Sequence, residues 1–510
     1  MASRTSNVIN NSIARLVQRF LSIFVQFVIR TVFIYYLGKE YTGVSGLFTD
    51  ILNVLSLMEI GLDSSMIYSL YKPLAEKDEK RIKQLLNFYK KAFIVIGTVV
   101  FIIGFSLIPF LDDIVKNVPN IEEDIRLIFA FYIVTAASSY FFIYRSVLLN
   151  ADQKSRIISK WRTIITVVEC IVAVIFIVIF KNFIVYLIIH LIASVMNNVV
   201  ISIITTRMYP EYFTKNNYQL SKEESIKILK DILYLTAYSF SGVIINSTDS
   251  IFISAFVGTV QVAIIGNFTL IVNSIRTLVS QIVEVTKPSI GNLAATTNQN
   301  SQEIVFDKMN FISFYVATIF SAALFSLLNP FIGDIWLDPS FKVEQFIVAL
   351  IVINLYIAIM VFPIEAFRTA NGLFKQGWVR PIIMAVLNII LDFIMGKRFG
   401  IAGIFLATTI SRFATQVWYD PYLVYKLVFK KTHWKFLLNY IVRLLIAMGI
   451  SLSSYFIIKS LALNNSLILF IVKGILSLLI SNIMIFIIYH NNKDYRYLLN
   501  FVGHKLARNR

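Results

Sequence analysis

A single cysteine, Cys170, stands in the 510-residue chain, so no intramolecular disulfide framework can form. The four histidines, His190, His433, His490 and His504, are scattered, and no Cys/His spacing suits a metal. Nucleotide and hydrolase signatures are missing too: there is no GxxxxGK loop followed by Ser or Thr, no HExxH and no GxSxG. The sequence therefore predicts neither cofactor nor metal, and no enzyme. Charge is scarce at 15%, against roughly 25% in soluble proteins. With 57% hydrophobic residues and a mean hydropathy of +0.73, this chain has more apolar surface than a soluble core can hide. Lipid is the alternative solvent. The N-terminus does not read as a cleavable signal, because its first apolar run is too long and Tyr35-Tyr36-Leu37-Gly38 is no small-x-small site.

What is present is a series of apolar runs of spanning length. They predict an all-α polytopic membrane protein with fourteen helices near 13–37, 44–71, 92–111, 125–149, 157–180, 183–206, 232–255, 260–281, 309–328, 345–367, 379–396, 401–424, 436–458 and 467–489. The separations 180/183 and 396/401 are the shortest, and each stretch could be one kinked span. The net charge of +18 raises nucleic acid as a partner, but its placement argues otherwise. Alternate inter-helix segments, starting with the N-terminal tail, hold 32 of the 47 Lys and Arg residues, and the opposite set holds 7. That bias places both termini in the cytoplasm and leaves no nucleic-acid signal. The loops on the other side are all short, so no outer catalytic domain is expected.

The chain also repeats itself. Tyr36-Leu37-Gly38…Gly46-Leu47-Phe48 returns as Phe256-Val257-Gly258…Gly266-Asn267-Phe268 at an offset of 220. Tyr144-Arg145-Ser146…Gln153 returns as Phe367-Arg368-Thr369…Gln376 at an offset of 223. Two such pairs at nearly one offset predict two six-helix, pseudo-symmetric lobes. The predicted division is an N-lobe over 1–206, a cytoplasmic linker over 207–231, a C-lobe over 232–424, and two further helices with a basic tail over 425–510. Parallel repeats of this kind suit a transporter rocking around a central cavity. Without a nucleotide site, its energy must come from an ion gradient, substrate removal or a partner.

Ionisable groups inside spans face a cavity or a partner, because lipid exposure is costly. Asn11, Arg15, Gln18, Arg19, Ser22, Gln26 and Arg30 form a polar stripe down the first helix. Snorkelling to the surface competes as an account of Arg15 and Arg19. The second helix carries Glu59 and Asp63, the seventh Asn246 and Asp249, and the eighth Asn267, Ser274 and Arg276. Glu365 and Arg368, Asp392, Arg412, Arg443 and Lys473 follow in later helices. Ion pairs between helices compete with cavity lining for every one of them. Cys170 and His190 read as packing residues. Arginine suits phosphate oxygens, and Asn and Gln suit sugar hydroxyls. The candidate substrate-binding set is accordingly Arg30, Arg19, Gln26, Asn246, Asn267 and Arg276, and the candidate ion-coupling pair is Glu59 and Asp249.

Several segments resemble the polysaccharide-transporter branch of the multidrug/oligosaccharidyl-lipid/polysaccharide exporter superfamily, the Wzx-type flippases. They are Tyr36-Leu37-Gly38 with Gly43 and Gly46-Leu47, Met58-Glu59-Ile60-Gly61-Leu62, Leu148-Leu149-Asn150-Ala151-Asp152-Gln153, Asn246-Ser247-Thr248-Asp249, Asn329-Pro330-Phe331, and Gly400-Ile401-Ala402-Gly403 with Ala407-Thr408. The resemblance implies two six-helix lobes around a cationic cavity in the bacterial plasma membrane, with Arg30 where related flippases place a cavity arginine. It implies export of undecaprenyl-pyrophosphate-linked oligosaccharide repeat units, with a polysaccharide polymerase and co-polymerase as partners besides the bilayer. A multidrug cation antiporter of the same fold, a lipid II-type flippase, and a membrane polysaccharide polymerase or glycosyltransferase are the rival readings.

Overall fold

The computed structural model describes residues 4–115, 121–373, 376–460 and 467–508, with side chains not described at 4–13, at Asn246, beyond residue 500 and at some other helical positions. Among the described residues the chain is helical throughout and has no strand. Eleven helical stretches among the described residues are long and apolar enough to cross a membrane. The three remaining expected spans are accounted for individually. The second expected span is divided at Ser56, the seventh is the apolar end of a longer helix, and the eleventh and twelfth fall in one continuous stretch. Phe24, Ile102, Ile179, Phe393, Phe456 and Ile487 are among many large apolar side chains left exposed, as lipid-facing residues are. This is a multi-pass integral membrane protein.

The chain divides into two compact units, residues 1–263 and 264–510. In the first, α1 (Arg4–Tyr36) lies along α7 (Ser155–Phe180). Then come α2 (Lys39–Leu55), α3 (Leu57–Glu76), α4 (Glu79–Leu107), the short α5 (Leu111–Ile114), α6 (Ile125–Ala151) and α8 (Phe183–Met208). The longer α9 (Lys222–Phe256) packs on both α2 and α3, and the first residues of α10 (Thr259–Thr296) complete the unit. The separation at 180/183 is a true helix end. Lys181 turns left-handed at φ 49°, and the Asn182 side chain caps α8 by accepting from the Val185 amide at 3.1 Å. The expected single helix over 44–71 is longer at both ends and interrupted, since Ser56 leaves helical geometry at φ −86°, ψ 7°.

The repeat has a physical counterpart. Gly38 (φ 93°) ends α1 with its amide on the Phe33 carbonyl at 3.0 Å, and Gly258 (φ 138°) ends α9 with its amide on Ile253 at 2.9 Å. Both pairs are 220 residues apart, and the backbone at both places needs the left-handed conformations that glycine allows.

The segment joining α8 to α9 is strapped to α4. Gln84 donates to the Gln219 carbonyl at 3.0 Å, and Asn87 donates to Asn216 and to the Tyr218 carbonyl at 2.8 and 2.9 Å. Ser221 and Glu224 form a capping box at the start of α9, and Arg81 reaches Glu224 at 2.9 Å. The Arg81 guanidinium and the Ser221 amide hold the Glu224 carboxyl below its ordinary range.

In the second unit, α12 (Gln345–Ala370) is buried on nearly every side, which explains why it is apolar all round. It packs against α11 (Gln299–Pro330), α13 (Val379–Ala414) and α14 (Gln416–Val424). Inside α13, Gly400 adopts φ 59°, ψ −137°. A Cβ on Gly403 would lie 2.1 Å from the Met395 carbonyl oxygen, eight residues back. A straight helix would hold those two positions about 12 Å apart. The stretch therefore doubles back at Gly400 and supplies two crossings, as the split at 396/401 expects. Outside the repeat, α15 (Trp434–Ser460) and α16 (Leu467–Tyr489) both pack on α11, and α17 (Lys493–Arg508) follows.

Candidate functional site

Arg30 lies near the Tyr36 end of α1, half-buried, with its Nη2 donating to the Ala263 carbonyl at 2.8 Å. Asp50 of α2 stands within Coulomb reach of the guanidinium and faces the hydroxyls of Ser247 and Ser250 on α9. Asn53 donates to Asp50 at 3.4 Å. Four helices, α1, α2, α9 and α10, therefore converge on one arginine and one carboxylate, with hydroxyls, an amide and a backbone carbonyl around them. A guanidinium held by a carbonyl keeps its full charge, and a phosphate oxygen is a stronger acceptor than that carbonyl.

A second group lies further along the same unit. Glu59 and Asp63 are one turn apart on α3, and Arg162 of α7 interacts with both. Glu59 also faces the Tyr140 hydroxyl of α6, and Asp63 Oδ1 has no hydrogen-bond partner among the described residues. Two carboxylates thus share one guanidinium. Asp249 is half-buried in α9; Asn246 lies in the same helix, and its side chain falls outside the described ones. Arg19 and Gln26 are exposed on α1. The first unit thus brings Arg30 beside Asp50, and Glu59 beside Asp63 and Arg162.

The second unit has its own charged network. Arg276 of α10 interacts with Glu365 of α12, which also feels Arg380 and Lys287. Asp420 of α14, fully buried, receives Arg368 at 2.7 Å and Arg380 at 2.9 Å. Asn267 is also fully buried in α10. Asp392 and Arg412 bind interior polar groups. Asn388 donates to Asp392 at 3.3 Å, and Arg412 donates to the Asn354 carbonyl at 2.9 Å. Arg443 donates to Asn310 Oδ1 and lies over the rings of Phe311 and Phe314. His190 does more than pack: its Nδ1 meets Glu169 Oε1 at 2.7 Å, across α7 and α8.

Sequence reasoning missed Asp50, Glu169, Arg162 and Asp420. Arg162 lies two turns into α7, which starts at Ser155. Asp50 sits twelve positions into α2, and that depth alone would have marked it. On the flank outside the spans, Lys154 meets Asp152 at 2.7 Å and the Tyr209 hydroxyl at 3.0 Å. Tyr209 donates to Asp152, and burial together with that bond pushes its hydroxyl well above the ordinary tyrosine range.

Residues 8–294 match the family described as polysaccharide biosynthesis protein. Among solved structures, the chain is similar to a "Lipid II flippase MurJ, inward closed conformation", with TM-score 0.67 and 17% identity over 95% of this chain and 99% of that one. It is also similar to a multidrug resistance MATE family transporter of the MOP superfamily in an inward-facing conformation, with TM-score 0.51 and 15% identity over 79% and 95%. A MOP superfamily transporter from Pyrococcus furiosus aligns with TM-score 0.51 and 13% identity over 80% and 92%. No curated protein sequence matches. At these identities the structures establish a shared fold.

Proposed function

The chain belongs to the polysaccharide biosynthesis protein family, and on that premise we propose that it flips undecaprenyl-pyrophosphate-linked oligosaccharide repeat units across the bacterial plasma membrane by alternating access. The repeat units would serve capsule, O-antigen or exopolysaccharide synthesis, with a polymerase and co-polymerase taking over the product. Both termini are cytoplasmic in this reading, following the basic-residue bias. The chemistry is translocation, with no covalent step.

Arg30 is the observation that carries the substrate class. It is a permanent cation within a membrane span, held at 2.8 Å by the Ala263 backbone carbonyl and faced by Asp50. A pyrophosphate entering this site exchanges the carbonyl for a charged, bidentate acceptor. In this scheme Arg19, Gln26, Asn246, Asn267 and Arg276 line the route, and Glu59 and Asp249 couple it to an ion. Arg30→Ala should accumulate lipid-linked oligosaccharide on the inner leaflet at normal protein levels, and Arg30→Lys should recover only part of the flux. Wild-type surface polysaccharide in the Ala variant would overturn the assignment.

A second reading is a lipid-linked peptidoglycan precursor as cargo. It is favoured by the near-complete alignment with a lipid II flippase. Complementation separates the two: rescue of a strain lacking its peptidoglycan-precursor flippase supports the second, and rescue of a capsule or O-antigen flippase mutant supports the first.

A further inference from the structure

We infer that the second unit carries a separate binding site for an aminophospholipid headgroup, at the membrane surface where the chain ends. A cavity of about 530 Å³ opens between α11, the turn after α14, α15 and the start of α17. Its lining changes character with depth. At the mouth stand Asp307 near the start of α11 and Asp494 in the first turn of α17, while Glu303 is already neutralised by Lys431. Asn310 lies about 4.5 Å further along α11, and Tyr440 and Arg443 lie about 8–12 Å beyond Lys435 on α15.

The deep end presents donors with nothing to receive them. Asn310 is 3% exposed and Tyr440 2%, yet Asn310 Nδ2 and the Tyr440 hydroxyl have no hydrogen-bond partner among the described residues. Buried groups of this kind are costly unless a ligand or water completes them. Arg443 adds a guanidinium that lies over the rings of Phe311 and Phe314, 5.4 and 5.5 Å from their centroids. Acceptor oxygens therefore belong deep in the cavity, and a cation belongs at its mouth between Asp307 and Asp494. A phosphoethanolamine headgroup has that polarity, because its phosphate lies nearer the acyl chains than its ammonium. Phosphatidylglycerol brings no cation of its own to the two carboxylates, and a choline head has no N–H to donate.

The source of the headgroup is a lipid, since Trp434, 70% exposed at the start of α15, marks the membrane–water interface beside this mouth.

The test uses the full chain in detergent, stripped of lipid, then incubated with phosphatidylethanolamine, phosphatidylglycerol or phosphatidylcholine. Retained lipid is counted by native mass spectrometry. Phosphatidylethanolamine should be retained about tenfold over the other two. Tyr440→Phe with Asp307→Asn should abolish that preference while the lipid-free melting temperature stays close to the wild-type value, because the Tyr440 hydroxyl makes no hydrogen bond among the described residues, and Asp307 loses its attraction to Lys431 and Arg443 together with its repulsion from Glu303 and Asp494. Equal retention of the three lipids, or an undiminished preference in the double variant, overturns the proposal. So does equal stabilisation by soluble glycerophosphoethanolamine at the same concentration, which would assign the site to a soluble ligand. No outcome depends on transport, so failure here and failure of the flippase reading are distinguishable.

Discussion

Asp420 shows how differently the two units use their charges. Its carboxylate is fully buried between Arg368 and Arg380 and bridges the two guanidinium groups. Asp420→Ala should cost about 3–5 kcal/mol, because it leaves two buried cations facing each other. A thermal melt of the purified variant, or its loss from the membrane fraction, reads that effect directly. Glu59 and Asp63 are the opposite case, two carboxylates for the one guanidinium of Arg162. An excess of one acid is what a proton or Na⁺ site requires. Glu59→Gln should abolish the dependence of flipping on an ion gradient in proteoliposomes. Turnover that is unaffected by collapsing both proton and Na⁺ gradients would remove the coupling assignment. Glu59, Asp63 and Arg368 were legible in the sequence, because a charge in an apolar run is conspicuous. Their partners were not: Arg368 and Asp420 are 52 residues apart, and no local pattern announces which helix will supply the counter-charge.

At the scale of elements, apolar periodicity and length placed almost every helix, including the hairpin at Gly400. What they could not show is where small residues let helices touch. A Cβ on Gly43 would fall 2.1 Å from the Thr259 carbonyl oxygen, and one on Gly61 2.0 Å from Thr236 Oγ1. These glycines permit α2 and α3 to lie against α9 and the start of α10 with backbone nearly touching backbone. Ser56 falls between the two contacts and breaks the span there. If this seam opens during transport, fastening it should stop the cycle. Gly46 faces Val262, its built Cβ 3.5 Å from Cγ1, so a Gly46→Cys/Val262→Cys pair should oxidise readily. The one native thiol, Cys170, is buried and leaves a clean background. Oxidation should arrest flipping and reduction restore it; full flux in the crosslinked protein would exclude movement at this seam.

For the whole molecule, the charge bias makes a topological prediction. Reporter fusions after residues 118 and 342 should lie outside, and fusions after 80 and 220 inside. An internal signal from the fusion after 118 would invert the topology from its third helix onward. The packing of α9 on α2 and α3 has another consequence, in the order of biosynthesis. Gly43 meets Thr259 only after 216 further residues have been made, and Gly61 waits for Thr236. At about 5–20 residues per second, the interval for Gly43 is roughly 10–40 s. Throughout that time α2 and α3 sit in the bilayer with their small-residue faces and the Asp50 carboxylate not yet covered by α9. A nascent chain stalled near residue 200 should therefore be a client of membrane chaperones and quality-control proteases, while one stalled near residue 300 should escape them.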